Sequence, residues 1–138
     1  MTSGRRSVSS GAEWESRYGY HRAVALDGRA WVSGTTAASR GEPPEGGAAA
    51  QAARAFAIGI EALAELGFEV RDVVRTRMYV TDIADADAVG RVHGQVFAGV
   101  DPAATMVEVS ALIDPLLLVE VELEAVQSEE SSDGGGSP

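Results

Sequence analysis

The chain lacks cysteine, lysine and asparagine, and it contains only two histidines. Without cysteine it forms no disulfide, has no thiolate nucleophile and cannot build a zinc site that needs sulfur. Without lysine it has no Schiff-base chemistry and no phosphate-binding loop ending in Gly-Lys-Ser/Thr. Two histidines, His21 and His93, are too few for an all-histidine metal site in one chain. We therefore expect neither a metal nor a cofactor.

Positive charge is also scarce: all 11 basic residues are arginines, and the net charge is −10. An acidic surface repels phosphate backbones, and nucleic-acid binding normally needs clustered basic residues. No apolar run approaches the ~20 residues of a membrane-spanning helix. The N-terminal residues Met-Thr-Ser-Gly-Arg-Arg are not followed by the apolar region of a secretory signal. We expect a cytoplasmic protein that binds neither nucleic acid nor membrane.

The length of 138 residues fits a single domain. The last eleven residues contain only Ser, Glu, Asp, Gly and Pro, which cannot bury enough surface to offset the entropy cost of ordering. The predicted organisation is a flexible N-terminal segment over residues 1–12, one domain over 13–127 and a disordered acidic, glycine-rich tail over 128–138.

Local patterns predict an α+β fold. Asp27-Gly28 between two short apolar runs is a two-residue hairpin signal, because both positions of such a turn need a positive φ. Apolar residues at three- and four-residue spacing indicate helices, and alternating residues indicate strands. The predicted elements are strands at 23–26 and 30–33, a helix at 48–66, a strand at 70–80, a helix at 82–97, and strands at 105–111 and 117–126. The order β-β-α-β-α-β-β predicts a mixed sheet with two helices on one face.

Three carboxylates share one face of the last predicted strand: Glu120, Glu122 and Glu124, at steps of ~7 Å. A solvated outer face explains such a row. The alternative is that Glu120, which follows the apolar Leu118 on the same face, lies in a cleft and acts as a general acid or base. His93 lies among valines in the second predicted helix, and either a half-buried histidine bonded to a carbonyl or a catalytic residue fits that pattern.

Several segments together resemble the Rid family, the RidA or YjgF-like reactive-intermediate imine deaminases. They occur between Gly19 and Val126, in the order and spacing of the family. The segments are Gly19-Tyr20, Val32-Ser33-Gly34-Thr35, Asp72 to Thr76, Tyr79 to Asp82, Asp101-Pro102-Ala103 with Thr105 and Val107-Glu108-Val109, and Leu118 to Glu122 with Ala125-Val126.

The resemblance implies a chorismate-mutase-like α+β fold and a homotrimer with clefts between neighbouring subunits; a strongly apolar last strand also favours assembly. In deaminating members, water attacks a 2-imino or 2-enamino acid and releases ammonia and a 2-oxo acid. Carried over residue by residue, the resemblance implies ligand binding by Tyr20, Ser33 and Gly34 and proton handling by Glu120.

The arginine with which the family clamps the substrate carboxylate is missing, because Pro102-Ala103 is followed by Ala104. Beside it, Thr105 supplies backbone groups, and Met106 stands where the family often has cysteine. His93 stands where the family often has tyrosine. Losing an arginine–carboxylate pair typically costs on the order of 10²–10³-fold in kcat/KM.

Two explanations of Ala104 remain open. Another arginine, Arg22 or Arg91, takes over the role, or the ligand is not a 2-imino acid. The first functional hypothesis is therefore a trimer that binds a small metabolite at the subunit interface without efficient imine deamination. The alternative is a hydrolase or deaminase of an imine, enamine or related metabolite, with Glu120 handling protons and His93 assisting. Endoribonuclease or translation-inhibitor activity is disfavoured by the acidic charge.

Overall fold

One six-stranded mixed sheet with its two long helices on one face forms the fold of the computed structural model, which describes residues 4–128. The elements in chain order are β1 (Arg6–Val8), α1 (Glu13–Tyr18), β2 (Ala23–Leu26), β3 (Arg29–Thr35), α2 (Ala48–Glu65), β4 (Val73–Val80), α3 (Ala86–Val96), β5 (Ala103–Glu108) and β6 (Val119–Val126). The strand order across the sheet is β1-β2-β3-β6-β4-β5. Of the strand pairs in the described residues, only β4–β5 is parallel, with α3 in its crossover.

The predicted hairpin is confirmed. Asp27 and Gly28 connect β2 to β3 with φ values of 52° and 78°, as a type I′ turn requires. Leu26 pairs with Arg29 across this turn, so the two-residue turn fixes the pairing register of β2 with β3.

Helix α2 packs directly on β6, the strand that joins the two halves of the sheet. A Cβ placed on Gly59 would lie 3.0 Å from Leu123 Cδ1, so the absent side chain allows the helix to approach the strand closely. The helix ends where the sequence predicts: Gly67 has a φ of 88°, and the N–H of Phe68 donates to the carbonyl of Leu63 at 2.9 Å. This is the Schellman pattern of a helix C-terminus.

The two faces of β6 differ in character. Its odd-numbered residues from Val119 to Ala125 are buried against the helices, in one cluster with Phe56 and Phe97. Its even-numbered glutamates lie on the open face of the sheet and are half-buried. The apolar side of the last strand is therefore covered by the chain's own helices and is no argument for assembly.

The N-terminal segment differs from its prediction. Within residues 1–12, expected to be flexible, Arg6–Val8 forms an edge strand that pairs with β2, and α1 follows at Glu13–Tyr18. Both elements are too short to show a hydrophobic period, and tertiary contacts hold them in place. Within the predicted tail, residues 129–138 lie outside the described part of the chain.

The second predicted helix begins later than expected. Ile83–Asp85 forms a 3₁₀ turn before α3, and the Asp82 carboxylate accepts the N–H of Ala84 at 2.9 Å. The N–H of Ile83 donates to Glu108 at 2.8 Å, which connects this turn to β5. The α+β class, the two main helices and the mixed sheet are confirmed.

Candidate functional site

A cavity of about 330 Å³ opens beside the ends of β3 and β6. Its lining joins residues from four parts of the chain: the N-terminal helix, the segment before β2, the end of β3 with the loop after it, and β6 with the segment leading into it. They include Trp14, Tyr20, Arg22, Gly34, Asp114 and Glu120. Three predicted site residues, Tyr20, Gly34 and Glu120, are therefore brought together in one cavity.

Glu120 differs from the other two glutamates of its face in having no partner. Glu122 accepts the Tyr79 hydroxyl at 2.8 Å, and Glu124 pairs with Arg77 at 2.7 Å. Within residues 4–128, the Glu120 carboxyl makes no hydrogen bond or ion pair, and it faces the cavity. Burial, together with the charge of Glu122, raises the pKa of Glu120 above its usual value, and the charge of Arg22 opposes this shift.

Gly34 makes room for the Glu120 side chain. The pairing of β3 with β6 shifts register between Val32 and Thr35, so Ser33 and Gly34 form an irregular strand end. A Cβ on Gly34 would lie 3.0 Å from Cδ of Glu120. Any larger residue at this position would displace the carboxyl group.

Arg22 lies in the cavity wall and is only 2% exposed. Its Nη2 pairs with Glu15 at 3.2 Å, and its Nη1 donates to the Gly34 carbonyl at 2.6 Å and to Thr35 Oγ1 at 3.2 Å. Its Nε donates to the Ser10 hydroxyl at 3.3 Å. The guanidinium group therefore holds the N-terminal segment against the end of β3.

Glu15 balances the charge of Arg22. It is 3% exposed and accepts hydrogen bonds from the hydroxyls of Ser9 and Ser10. Burial alone would raise the pKa of Glu15, but these hydrogen bonds and the Arg22 charge hold it below its usual value. The pair therefore stays ionised inside the protein.

His93 lies outside this cavity, on the helix side of the sheet. Its Nε2 is 2.8 Å from the Thr76 hydroxyl, and its ring contacts those of Phe56 and Phe97, with centroids 5.7 and 4.8 Å away. Burial lowers the pKa of His93, which favours the neutral ring at neutral pH. Its partner is a hydroxyl, not the carbonyl expected from the sequence, and within one protomer it is not beside Glu120.

The residues around the missing arginine lie on β5, at the edge of the sheet. Ala104 pairs with Thr76 and Met106 with Met78; because both partners are buried, the two residues share the helix side of the sheet. Thr105 faces the open side, where its hydroxyl accepts a 2.7 Å bond from Arg75. Strand β4 separates β5 from β6. Ala104 and Glu120 thus occupy opposite faces of one protomer's sheet.

Two further predicted residues have local partners. The Ser33 hydroxyl donates to the His21 carbonyl at 2.6 Å and is not part of the cavity lining. Arg91 is exposed and pairs with Asp87 one helical turn away at 2.8 Å. Of the two arginines considered as substitutes for the missing one, Arg22 alone borders the cavity that contains Glu120.

Sequence reasoning missed Trp14, Glu15 and Asp114. Trp14 and Glu15 belong to a six-residue helix, which is shorter than two periods of an amphipathic pattern. Asp114 lies in the loop before β6, where its carboxylate accepts the N–H of Leu116 at 2.8 Å. The Asp-Pro pair at 114–115 is a turn signal, but it does not indicate that the turn borders a cavity.

Within residues 4–128, no cluster of three or more His, Asp or Glu side chains could hold a metal ion. Nor does that part of the chain contain a helix long and apolar enough to cross a membrane. The polar side chains that line the cavity supply two carboxyls, a paired guanidinium, a phenol, an indole N–H and two hydroxyls.

Comparison with known proteins identifies the family. A family model described as Endoribonuclease L-PSP matches residues 11–127. Rv2704 from Mycobacterium tuberculosis, a member of the YjgF/YER057c/UK114 family, has a crystal structure similar to this one, with a TM-score of 0.83 and 45% sequence identity over 90% of this chain and 100% of that chain. The uncharacterized protein SCO2049 of Streptomyces coelicolor is 41% identical over 126 residues, 87% of this chain and 90% of that protein.

A third relative is PA3499 from Pseudomonas aeruginosa, a protein of unknown function, with a TM-score of 0.74 and 32% identity over 91% of this chain and 94% of that chain. These similarities confirm the chorismate-mutase-like fold that the sequence motifs implied. Since the family model spans residues 11–127, the chain belongs to the Endoribonuclease L-PSP family, the YjgF or Rid family that its motifs resemble.

Proposed function

We propose that the protein is a homotrimer that binds a small metabolite between subunits and is not an efficient 2-imino acid deaminase. The observation that carries this proposal is the division of the predicted site within one protomer. Glu120, Tyr20 and Gly34 line a cavity on the open side of the sheet, whereas Ala104 and Met106 lie on the helix side of the edge strand β5. A second copy that places its β5 edge at this cavity would unite the two groups.

The alanine at position 104 supports the proposal that the protein is not an efficient 2-imino acid deaminase. The Ala104 side chain offers no donor to a substrate carboxylate, and the residue is exposed on an edge strand. Arg22 borders the cavity, but it already donates to Glu15, Gly34 and Thr35. A 2-imino acid would therefore meet no free arginine from this protomer, and its carboxylate would lose a charge-assisted pair.

A hydrolase or deaminase acting on an imine, enamine or related metabolite is the second candidate. It is favoured by one observation: the Glu120 carboxyl has no partner among the described residues and has a raised pKa. A carboxyl group with a pKa closer to neutrality exchanges protons with a bound water or amine more readily. His93 would assist only if a neighbouring subunit brings it to the cavity.

Endoribonuclease activity, which the family description names, is disfavoured as the function of this chain. The net charge is −10, and an RNA backbone binds to clustered positive charge. The cytoplasmic location expected from the sequence stays a prediction.

Two measurements on the full chain test the proposal. Sedimentation should give the mass of a trimer at micromolar concentration. Ammonia release from 2-aminoacrylate generated in situ should remain close to the rate without protein. A stable monomer would contradict the interface site, and rapid ammonia release would favour the deaminase candidate instead.

A further inference from the structure

We propose that the cavity beside Glu120 selects small organic cations without a carboxylate, such as amines, amidines or guanidines. The inference rests on the proposed small-molecule function of this cavity and names the ligand class. It follows from the balance of charge and of free hydrogen-bonding groups around the cavity.

The one cationic side chain in the cavity lining, Arg22, already has an ion-pair partner. Arg22 is the only basic residue among those that line the cavity, and Glu15 stands 3.2 Å from its Nη2. Its Nη1 is committed to the Gly34 carbonyl and Thr35 Oγ1, and its Nε to Ser10. Because breaking a buried ion pair leaves an uncompensated charge, a ligand carboxylate gains little by competing with Glu15.

The remaining charged groups are carboxyls. Glu120 and Asp114 both line the cavity, and with Arg22 and Glu15 cancelling each other, ionised carboxyls leave the site negative. An acidic ligand would be repelled, since like charges at close range cost free energy in a partly desolvated site. A ligand N–H or ammonium group would instead give Glu120 the partner it lacks among residues 4–128.

The walls suit an organic cation better than a hydrated inorganic one. Trp14, Tyr20 and Leu117 give the cavity aromatic and aliphatic surface, on which the carbon skeleton of a ligand can pack. The volume of about 330 Å³ lies at the low end of the ~300–1,000 Å³ typical of small-molecule sites. The ligand is accordingly a compact molecule with a cationic end at Glu120.

Matched pairs of probes test the ligand class. Each pair differs by an α-carboxylate: agmatine and arginine, putrescine and ornithine, ethanolamine and serine. Titration calorimetry on the full chain should show that the carboxylate-free member binds at least about tenfold more tightly, the range expected for one charged hydrogen bond gained or opposed.

Two glutamate variants locate the interaction. Glu120→Gln should weaken binding of the preferred amine by about tenfold or more. Glu124→Gln is the matched control, because it removes a carboxylate from the same strand face but one that pairs with Arg77, and it should change binding less than about twofold. Equal effects of the two variants would place the cation elsewhere.

The inference is wrong if arginine, ornithine or serine binds as tightly as its carboxylate-free partner. It is also wrong if none of the three amines binds at about 10 mM, a concentration well above the dissociation constants of specific sites. These outcomes differ from a failure of the proposed function. A trimer without deaminase activity that prefers serine to ethanolamine would disprove the ligand class alone. A monomer or an efficient deaminase would disprove the proposed function, whatever the amine titrations give.

Discussion

Arg22 and Glu15 form the only buried ion pair among residues 4–128; the other pairs there have side chains exposed by a third or more. Removing one partner of a buried pair leaves an uncompensated charge and costs far more than removing a surface pair. The pair also connects α1 to the end of β3 through the Gly34 carbonyl. One side-chain contact therefore supports both the stability of the N-terminal segment and the shape of the cavity.

Glu15→Gln should lower the free energy of unfolding by about 3–5 kcal/mol. Glu13→Gln is the control, because Glu13 forms an exposed pair with Arg17 at 3.7 Å and its loss should cost less than about 1 kcal/mol. Urea denaturation at one protein concentration compares the two variants. A cost for Glu15→Gln no larger than that of Glu13→Gln would mean that Glu15 contributes no more than a surface charge.

The unpartnered Glu120 predicts a pH-dependent stability. Its folded-state pKa is raised, so the folded protein favours the uncharged carboxyl, and the associated stability is present at low pH and lost as the pH rises through the folded pKa. Glu120→Gln should therefore raise Tm relative to the unmodified protein at pH 8, and the difference should vanish towards pH 4. Thermal unfolding across this range measures it.

Glu124→Gln provides the comparison for that titration. Glu124 pairs with Arg77, so its replacement removes an attraction and should not raise Tm at pH 8. A lower Tm of Glu120→Gln at pH 8 would show that attraction to Arg22 or to another positive charge outweighs the burial of the Glu120 carboxylate.

Among the elements, the two long helices use glycine differently. Gly59 in α2 lies against Leu123 and Val32, whereas nothing lies within 4 Å of a Cβ placed on Gly94 in α3. In open space, alanine is favoured over glycine in a helix by about 1 kcal/mol, because glycine loses more backbone entropy.

Gly94→Ala should raise the free energy of unfolding by about 0.5–1 kcal/mol. Gly59→Ala should gain less or destabilise, since its Cβ would lie 3.0 Å from Leu123 Cδ1 and 3.5 Å from Val32 Cγ1. Thermal or urea unfolding of the two variants separates helix propensity from packing. An equal gain in the free energy of unfolding of both variants would show that Leu123 on β6 moves away from a Cβ at position 59 at little cost.

The elements that sequence patterns predicted are those with enough residues to show a period. Helix α2, the Asp27-Gly28 hairpin and β6 were predicted because each carries its own signal: a stripe, a turn dipeptide and an alternation. Strand β1 and helix α1 have 3 and 6 residues, and pairing with β2 and the Arg22–Glu15 contact hold them in place. No local pattern contains that information.

The candidate site was predictable only where a local sequence pattern indicates the position of a residue. Alternation placed Glu120 on the open face, but the three glutamates differ only through diagonal side-chain contacts with β4. Tyr79 lies opposite Glu120 but donates to Glu122, and Arg77 lies opposite Glu122 but pairs with Glu124. The motif resemblance implied that Tyr20, Gly34 and Glu120 belong to one site. It could not indicate that Arg22 would be held by Glu15, because that pair depends on how α1 folds back.

For the whole molecule, the separation of Ala104 from Glu120 predicts the effect of restoring the arginine. Ala104→Arg should gain or increase activity towards 2-imino acids, because the new guanidinium would supply the carboxylate clamp where the family has it. The variant leaves Glu120 and Tyr20 unchanged. Ammonia release from 2-aminoacrylate measures the gain over the unmodified protein.

Met106 limits that experiment, since it lies on the same side of β5 two residues further on, and its methyl group would lie 3.9 Å from a Cβ on Gly90. The double variant Ala104→Arg/Met106→Cys gives the new side chain more room. If neither variant gains activity, the cavity is built for a different ligand, as the excess of carboxyls over free arginines suggests.

Strand β6 is the last strand among residues 4–128 and also the one that joins β1-β2-β3 to β4-β5. During synthesis, β1-β2-β3 and β4-β5 therefore cannot join into one sheet until residues 119–126 are available. Until then, the edges of β3 and β4 that pair with β6 stay unpaired. The closing contacts link Arg29–Thr35 to residues about ninety positions later, and such non-local pairing slows folding. Chains that stop before β6 would expose two sheet edges and are the species most prone to aggregate.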